Sequence, residues 1–238
     1  MAEASGEDRV LLITGASSGI GAQTARRAAE DGWRLVLGAR REDLLEELAA
    51  ELGGPERAIW RACDVTEWDD QLALVAAGLE AFGSIHGVFA NAGFGAKRGF
   101  LEETVGHWRD MVLTNVLGAA LTIRATLPTL LEQGDGHFLL TGSVAGRRAL
   151  PGSLYSSTKW AISGMGESLR SELRQMHDDH SIRVTLIEPG MTDTEFFDQR
   201  PDGALEDDDI ARACLYALSQ PPNVDVNEIL IRPSSQPI

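Results

Sequence analysis

Tyr155 and Lys159 are four residues apart in the run Tyr155-Ser156-Ser157-Thr158-Lys159. On a helix that spacing places two side chains on one face. A phenol beside an ammonium is a pair suited to proton transfer. A free phenol titrates near 10, so bringing it to about 7 takes roughly 4 kcal/mol of preference for the phenolate. An ammonium about 4–5 Å away supplies a few kcal/mol at an effective dielectric near 20. A nearby helix N-terminus adds to this. The residues therefore predict an acidified phenol that gives and takes a proton. Ser143 lies twelve positions upstream, in Gly142-Ser143-Val144-Ala145-Gly146, just after the apolar run Phe138–Thr141. A hydroxyl at the carboxyl end of a strand faces the crevice where open α/β sheets bind ligands. There it can donate to a carbonyl oxygen as negative charge builds.

A second cluster sits near the start of the chain. Thr14-Gly15-Ala16-Ser17-Ser18-Gly19-Ile20-Gly21 follows the compact run Val10–Thr14 and opens a helical pattern over Ile20–Asp31. Glycines permit a tight turn and a close approach of backbone to a pyrophosphate, and the N–H groups of the new helix bind phosphate oxygens. The strand–turn–helix setting gives this glycine triplet its meaning.

The elements that must hold these groups alternate along the whole chain. Short apolar runs predict strands at Val10–Thr14, Leu35–Leu37, Ala58–Ala62, Val88–Ala90, Phe138–Thr141, Arg183–Glu188 and Glu228–Arg232. Between them lie helical patterns: the stripe Leu44, Leu45, Leu48 and Leu52, then Trp68–Phe82, Glu102–Leu131, Leu154–Met176 and Asp207–Leu218. Thr66 with Asp69 resembles a capping pair for the helix at Trp68. Strands separated by helices demand right-handed crossovers covering both faces of a parallel sheet. The expectation is one doubly wound, Rossmann-like α/β domain over residues 1–238, with about seven strands. No repeat, linker or low-complexity tract divides it.

Bulk charge narrows the partners. The 238 residues carry a net charge of −15. Such a surface repels phosphate backbones and anionic lipid, so neither nucleic acid nor membrane is an expected partner. An anionic cofactor must then meet a local positive site. Lys97 and Lys159 are the only lysines. Two distant cysteines, Cys63 and Cys214, make neither a disulfide framework nor a metal cluster, and no metal is expected. The acidic start, without an apolar h-region, does not read as a signal peptide. No apolar run reads as long enough to span a bilayer. A cytoplasmic location is the expectation.

The spacing Gly-x-x-x-Gly-x-Gly resembles the TGxxxGIG turn of the short-chain dehydrogenase/reductase superfamily, and the likeness runs from about Val10 to Arg232. The resemblance implies a hydride-transferring oxidoreductase acting on a carbonyl/alcohol pair, with Asn115, Ser143, Tyr155 and Lys159 as the catalytic group. It implies that Asn115 helps hold a water that relays protons to Lys159. It implies a nicotinamide cofactor held by Gly15, Ser17, Ser18, Gly19, Ile20 and Gly21. Asp64 and Val65 would meet the adenine, and Asn91, Ala92 and Gly93 would brace strands and admit the ribose. Lys159 would also grip the nicotinamide ribose, beside Tyr155. Pro189, Gly190 and Thr192 would line the nicotinamide.

The residues themselves bear on which cofactor. An acid about 20 positions past the turn favours NAD. Here the sequence reads Gly38-Ala39-Arg40-Arg41. An arginine fork pairs with a 2′-phosphate where a carboxylate would repel it, so NADP(H) is expected over NAD(H). The run Asn227–Pro233 resembles a bacterial branch containing NADP-dependent 3-hydroxy-acid and clavulanate-type dehydrogenases. A lid is expected over Met191–Arg200, anchored by Phe196 and Phe197, with Phe94, Val144 and Leu150 completing a pocket. Two other readings stand beside this one. A ketoacyl-thioester reductase would need a basic patch, to which Arg147 and Arg148 could contribute. A non-catalytic NADP(H)-binding sensor or scaffold would fit loss of the tyrosine or lysine, and both are present. Members of the superfamily pair through two long helices, here Glu102–Leu131 and Leu154–Met176, so a homodimer or homotetramer is implied.

Overall fold

The computed structural model describes residues 9–179, 181–193 and 202–236. The strands are β1 (Val10–Thr14), β2 (Arg34–Ala39), β3 (Ala58–Ala62), β4 (Gly87–Ala90), β5 (Gly136–Thr141), β6 (Ile182–Pro189), β7 (Thr192–Asp193), β8 (Leu205–Glu206) and β9 (Glu228–Ile231). The helices are α1 (Gly19–Glu30), α2 (Glu42–Glu51), α3 (Trp68–Phe82), α4 (Val105–Val112), α5 (Ala119–Gln133), α6 (Leu154–Gln175) and α7 (Asp207–Leu218). Seven strands form one sheet in the order β3-β2-β1-β4-β5-β6-β9, and every pairing is parallel. The order reverses between β1 and β4, which opens a crevice at their carboxyl ends.

Alternation along β1 shows why both faces are covered. Val10 and Leu12 pack into a core with α3, α5 and α6. Leu11 and Ile13 pack into a second core with α1, α2 and α7. Side chains of a strand alternate between faces, so a strand buried on both sides reads as a continuous apolar run. The single-domain, doubly wound fold is as expected.

Three details differ from the sequence reading. The stretch expected as one helix from Glu102 begins at Val105, capped by the Thr104 hydroxyl. It is also split: Leu113–Gly118 forms a π-helical segment between α4 and α5. Such segments are rare and often sit at functional sites. Thr66 and Asp69 do not cap α3, whose N-cap is Glu67 with no side-chain cap bond. Thr66 is drawn instead to Asp64, whose carboxylate accepts from both its N–H and its hydroxyl. Finally, Val105–Gln133 is long and apolar enough, by length and composition alone, to cross a membrane, contrary to the reading of the bare sequence. Its residues Ala119, Ile123, Ala125 and Leu130 pack into the core against the sheet.

Candidate active site

The cleft at the carboxyl edge of the sheet encloses about 570 Å³, within the ordinary range for a ligand site. Its floor is built from the glycine turn. Gly15 and Gly19 have positive φ of 65° and 52°, a region costly for residues with a Cβ. Gly21 does different work. It is buried, and a Cβ there would collide with the Gly15 carbonyl and lie 2.7 Å from the Asn91 amide. Ser17, Ser18, Gly19 and Ile20 line the cleft, whereas Gly21 does not. Ser18 gives α1 no side-chain cap; its hydroxyl accepts from Arg41 at 2.5 Å. Helix N–H groups without a capping side chain, at a cleft wall, are donors placed for an anion.

Asn91 straps three strands together. Its Nδ2 donates to the carbonyls of Thr14 and Gly15 at 3.2 and 3.3 Å, and its Oδ1 accepts from the Thr141 hydroxyl at 3.1 Å. The crevice between β1 and β4 is thus held at a set width, with Ala92 and Gly93 on its wall. At the far end Arg40, Arg41, Asp64 and Val65 line the cleft. Arg41 also donates to Ser17 Oγ from Nε and Nη2, both at 3.2 Å, so it clamps the turn. This end of the cleft carries two guanidinium groups.

The proton-transfer group lies at the other end. Ser143, Tyr155 and Lys159 all line the cleft. Tyr155 is hydrogen-bonded to the Ser143 side chain. Lys159 is buried, and its Nζ donates to the Thr141 carbonyl at 2.8 Å while standing 5.6 Å from the Tyr155 ring centroid. In the cofactor-free pocket, burial works against an acidified phenol. Burial pushes the Tyr155 phenol up to about 12, and the bond to Ser143 opposes this only in part. Burial likewise pushes Lys159 down to about 8. Loss of water disfavours both charged forms.

Asn115 does not reach the cleft wall. It is 2% exposed in the π-helical segment, and its side chain joins Phe94 and Thr158. Pro189, Gly190 and Thr192 line the cleft past the end of β6. The expected pocket residues Phe94, Val144 and Leu150 line it too. Of the expected lid, residues 194–200, including Phe196 and Phe197, lie outside the described residues. Arg147 is not part of a basic patch: its guanidinium bridges buried Glu188 at 2.7 Å and Glu228 at 2.5 Å. That bridge ties the segment after Ser143 to β6 and β9. Cys63 and Cys214 are buried free thiols, raised by burial to about 12.

Three residues that bind this site together went unread in the sequence. Thr14 accepts from the Asn91 and Ala92 N–H groups, Thr141 anchors Lys159, and Thr158 receives the Asn115 amide. The threonines at the ends of β1 and β5 were the available signal, but their partners are distant in sequence.

A parallel sheet reversing at a glycine turn, with a tyrosine–serine–lysine group at one end of the crevice, defines a dinucleotide-dependent oxidoreductase. The short chain dehydrogenase family model matches residues 9–204, and the chain belongs to that family. It is an NAD(P)-dependent oxidoreductase of the CH–OH class. An uncharacterized oxidoreductase of Staphylococcus saprophyticus is 38% identical over 97% of this chain and 98% of its own. An alcohol dehydrogenase of the archaeon Thermococcus sibiricus, complexed with 5-hydroxy-NADP, is 32% identical with a TM-score of 0.85, covering 97% of this chain and 98% of its own. A serine dehydrogenase in a closed form with NADP+ is 29% identical with a TM-score of 0.88, covering 96% of each chain. Other similar structures hold NAD or NADH.

Proposed function

We propose that this chain is an NADP(H)-preferring reductase/dehydrogenase of a small carbonyl/alcohol pair, with Tyr155 as the proton donor and acceptor. The observation that carries the reading is the meeting of Tyr155 and Ser143 hydroxyls at one end of the cleft, with Lys159 beside them. The site suits a nicotinamide dinucleotide: uncapped N–H donors of α1 lie mid-cleft and the Arg40–Arg41 pair lies at its far end. When bound, that cofactor supplies or accepts the hydride. Ser143 and Tyr155 hold the carbonyl oxygen. Tyr155 gives its proton as charge builds there, and a phenol held near 12 stays protonated and ready to donate at neutral pH. Thr141 fixes the Lys159 ammonium at the cleft floor, where it would also grip the nicotinamide ribose. Asn115 holds Thr158, the residue before Lys159, and, with backbone help, would hold the relaying water. Gly15–Gly21, Asp64, Val65, Asn91–Gly93, Pro189, Gly190 and Thr192 take the cofactor contacts expected above.

We place the chain near the 3-hydroxy-acid dehydrogenase branch. The edge strand β9 and its flanking residues support this, as does the likeness to a serine dehydrogenase. The ketoacyl-thioester alternative is weakened because Arg147 is engaged with Glu188 and Glu228. A single folded unit over 1–238, a homodimer or homotetramer through α4–α5 and α6, and a cytoplasmic setting without nucleic acid or membrane complete the proposal. The test is a panel of ketones, aldehydes and hydroxy acids with NADPH and NADH, followed by absorbance of the reduced ring. Turnover by wild type and its loss, about 10²–10⁴-fold, in Tyr155→Phe with cofactor binding retained support it. Equal turnover in Tyr155→Phe rules the mechanism out.

A further inference from the structure

We infer that the substrate carries a carboxylate and that Arg98 is the residue that selects for it; this rests on the oxidoreductase reading above. Arg98 lies in the segment between β4 and α4 and lines the cleft. Its neighbour Gly99 donates to the Gly152 carbonyl at 2.8 Å, three residues before Tyr155. The packing there is close, since a Cβ on Gly152 would stand 2.7 Å from Gly99 Cα. The segment bearing Arg98 is therefore tethered just before the start of α6, which carries Tyr155, and it lines the cleft together with Phe94, Leu150 and Ser153.

Charge singles this side chain out. The other cations of the site are engaged or distant: Arg41 on Ser17 and Ser18, Lys159 on Thr141, Arg147 on two glutamates, and Arg40 beside Asp64 at the opposite end. Arg98 is exposed and has neither an ion pair nor a hydrogen bond among the described residues. Among the described residues lining the cleft the one carboxylate is Asp64, which stands at the opposite end with Arg40. A chain of net charge −15 thus presents, among the described residues, a guanidinium with no carboxylate partner beside its reacting group. Surface acidity repels anions, so an acidic substrate needs such a local positive site to enter and be oriented. A guanidinium also matches a carboxylate with two parallel N–H bonds, which fixes orientation as well as affinity. Lys97, half of the chain's lysine content, is adjacent and interacts with Glu103, which leaves Arg98 as the cation of this segment without a partner among the described residues.

The test uses the full chain with NADPH, a 3-keto acid, and its methyl ester as the neutral match. Wild type is expected to favour the acid. In Arg98→Gln the ratio of kcat/KM for acid over ester falls about 10–100-fold, mostly through KM, in line with loss of a charge-assisted pair. Arg98→Lys recovers part of the ratio, and Arg98→Glu lowers it further. Rising salt lowers the wild-type ratio and leaves that of Arg98→Gln unmoved. NADPH binding, read by its fluorescence, is the same in all variants and shows each is folded. An unchanged ratio in Arg98→Gln overturns the inference while leaving the oxidoreductase reading intact. Weakened NADPH binding in Arg98→Gln overturns it too, by assigning Arg98 to the cofactor. Absence of turnover of both compounds, and of every member of the broader panel, by wild type instead defeats the reading on which it rests.

Discussion

Asn115 and Phe94 exchange two hydrogen bonds, as paired residues of a β-ladder do. Phe94 N–H donates to Asn115 Oδ1 at 3.0 Å, and Asn115 Nδ2 donates to the Phe94 carbonyl at 2.9 Å. The same Nδ2 reaches Thr158 Oγ1 at 3.2 Å. One amide thus joins the π-helical segment to the β4–α4 segment and to the helix bearing Tyr155 and Lys159.

Asn115→Leu keeps the volume and removes the exchange. It strands two backbone groups of Phe94, and stability is expected to fall by about 2–3 kcal/mol. Urea denaturation measures this. A variant as stable as wild type shows that the exchange does not hold this wall of the cleft.

Gly21→Ala tests the turn. The added methyl group meets the Gly15 carbonyl and the Asn91 amide, and overpacking of this kind costs about 1–3 kcal/mol. The cleft floor shifts with it, so NADPH affinity is expected to drop more than tenfold. Retained affinity would mean the turn yields without loss.

The phenol can be titrated directly, because the chain has two tyrosines. A difference spectrum of wild type minus Tyr155→Phe isolates Tyr155. With burial holding it near 12, no tyrosinate band from Tyr155 is expected below pH 10 in the cofactor-free protein. A band at pH 8 returns the acidified phenol that the sequence suggested.

Lys159 carries a stability cost with a definite sign. Its folded value is about 8, against about 10.4 for a free lysine. Between pH 8 and 10 the unfolded chain holds a proton the folded chain has lost, so stability rises with pH across that window. Below pH 8 the buried ammonium costs on the order of 3 kcal/mol, and its bond to Thr141 returns about 1 kcal/mol. Lys159→Met is therefore expected to be inactive yet roughly 1–2 kcal/mol more stable at pH 7, a gain that shrinks towards pH 10. Thermal melts at the two pH values check it; a gain constant with pH contradicts the cause given.

The proposed preference for NADP(H) is tested at Arg40 and Arg41. In the double variant Arg40→Ala/Arg41→Ala, NADPH affinity is expected to fall about 10–100-fold and NADH affinity several-fold at most. Fluorescence titration of both separates the effects. Equal losses would assign Arg41 to holding Ser17 and Ser18 alone.

Much of this protein is written locally in its chain. The continuous apolar run of β1 declares a strand buried on both faces, because alternate side chains must each find a core. Four-residue spacing puts Tyr155 and Lys159 on one face of α6. Glycines at positions 15 and 19 announce a turn that residues with a Cβ enter only at a cost. What the chain could not disclose depends on partners far away in sequence. The family resemblance marks Asn91 as a brace between strands, but its partners Thr14, Gly15 and Thr141 are named only by the fold. Arg147 reads as a surface charge until Glu188 and Glu228 close on it. The phenol reads as acidified because the spacing supplies an ammonium; only the assembled pocket adds the burial that pushes the other way. Spacing is set by covalent geometry and survives in the bare sequence. Dehydration and pairing are set by what packs against a group, and they come into being only with the tertiary structure.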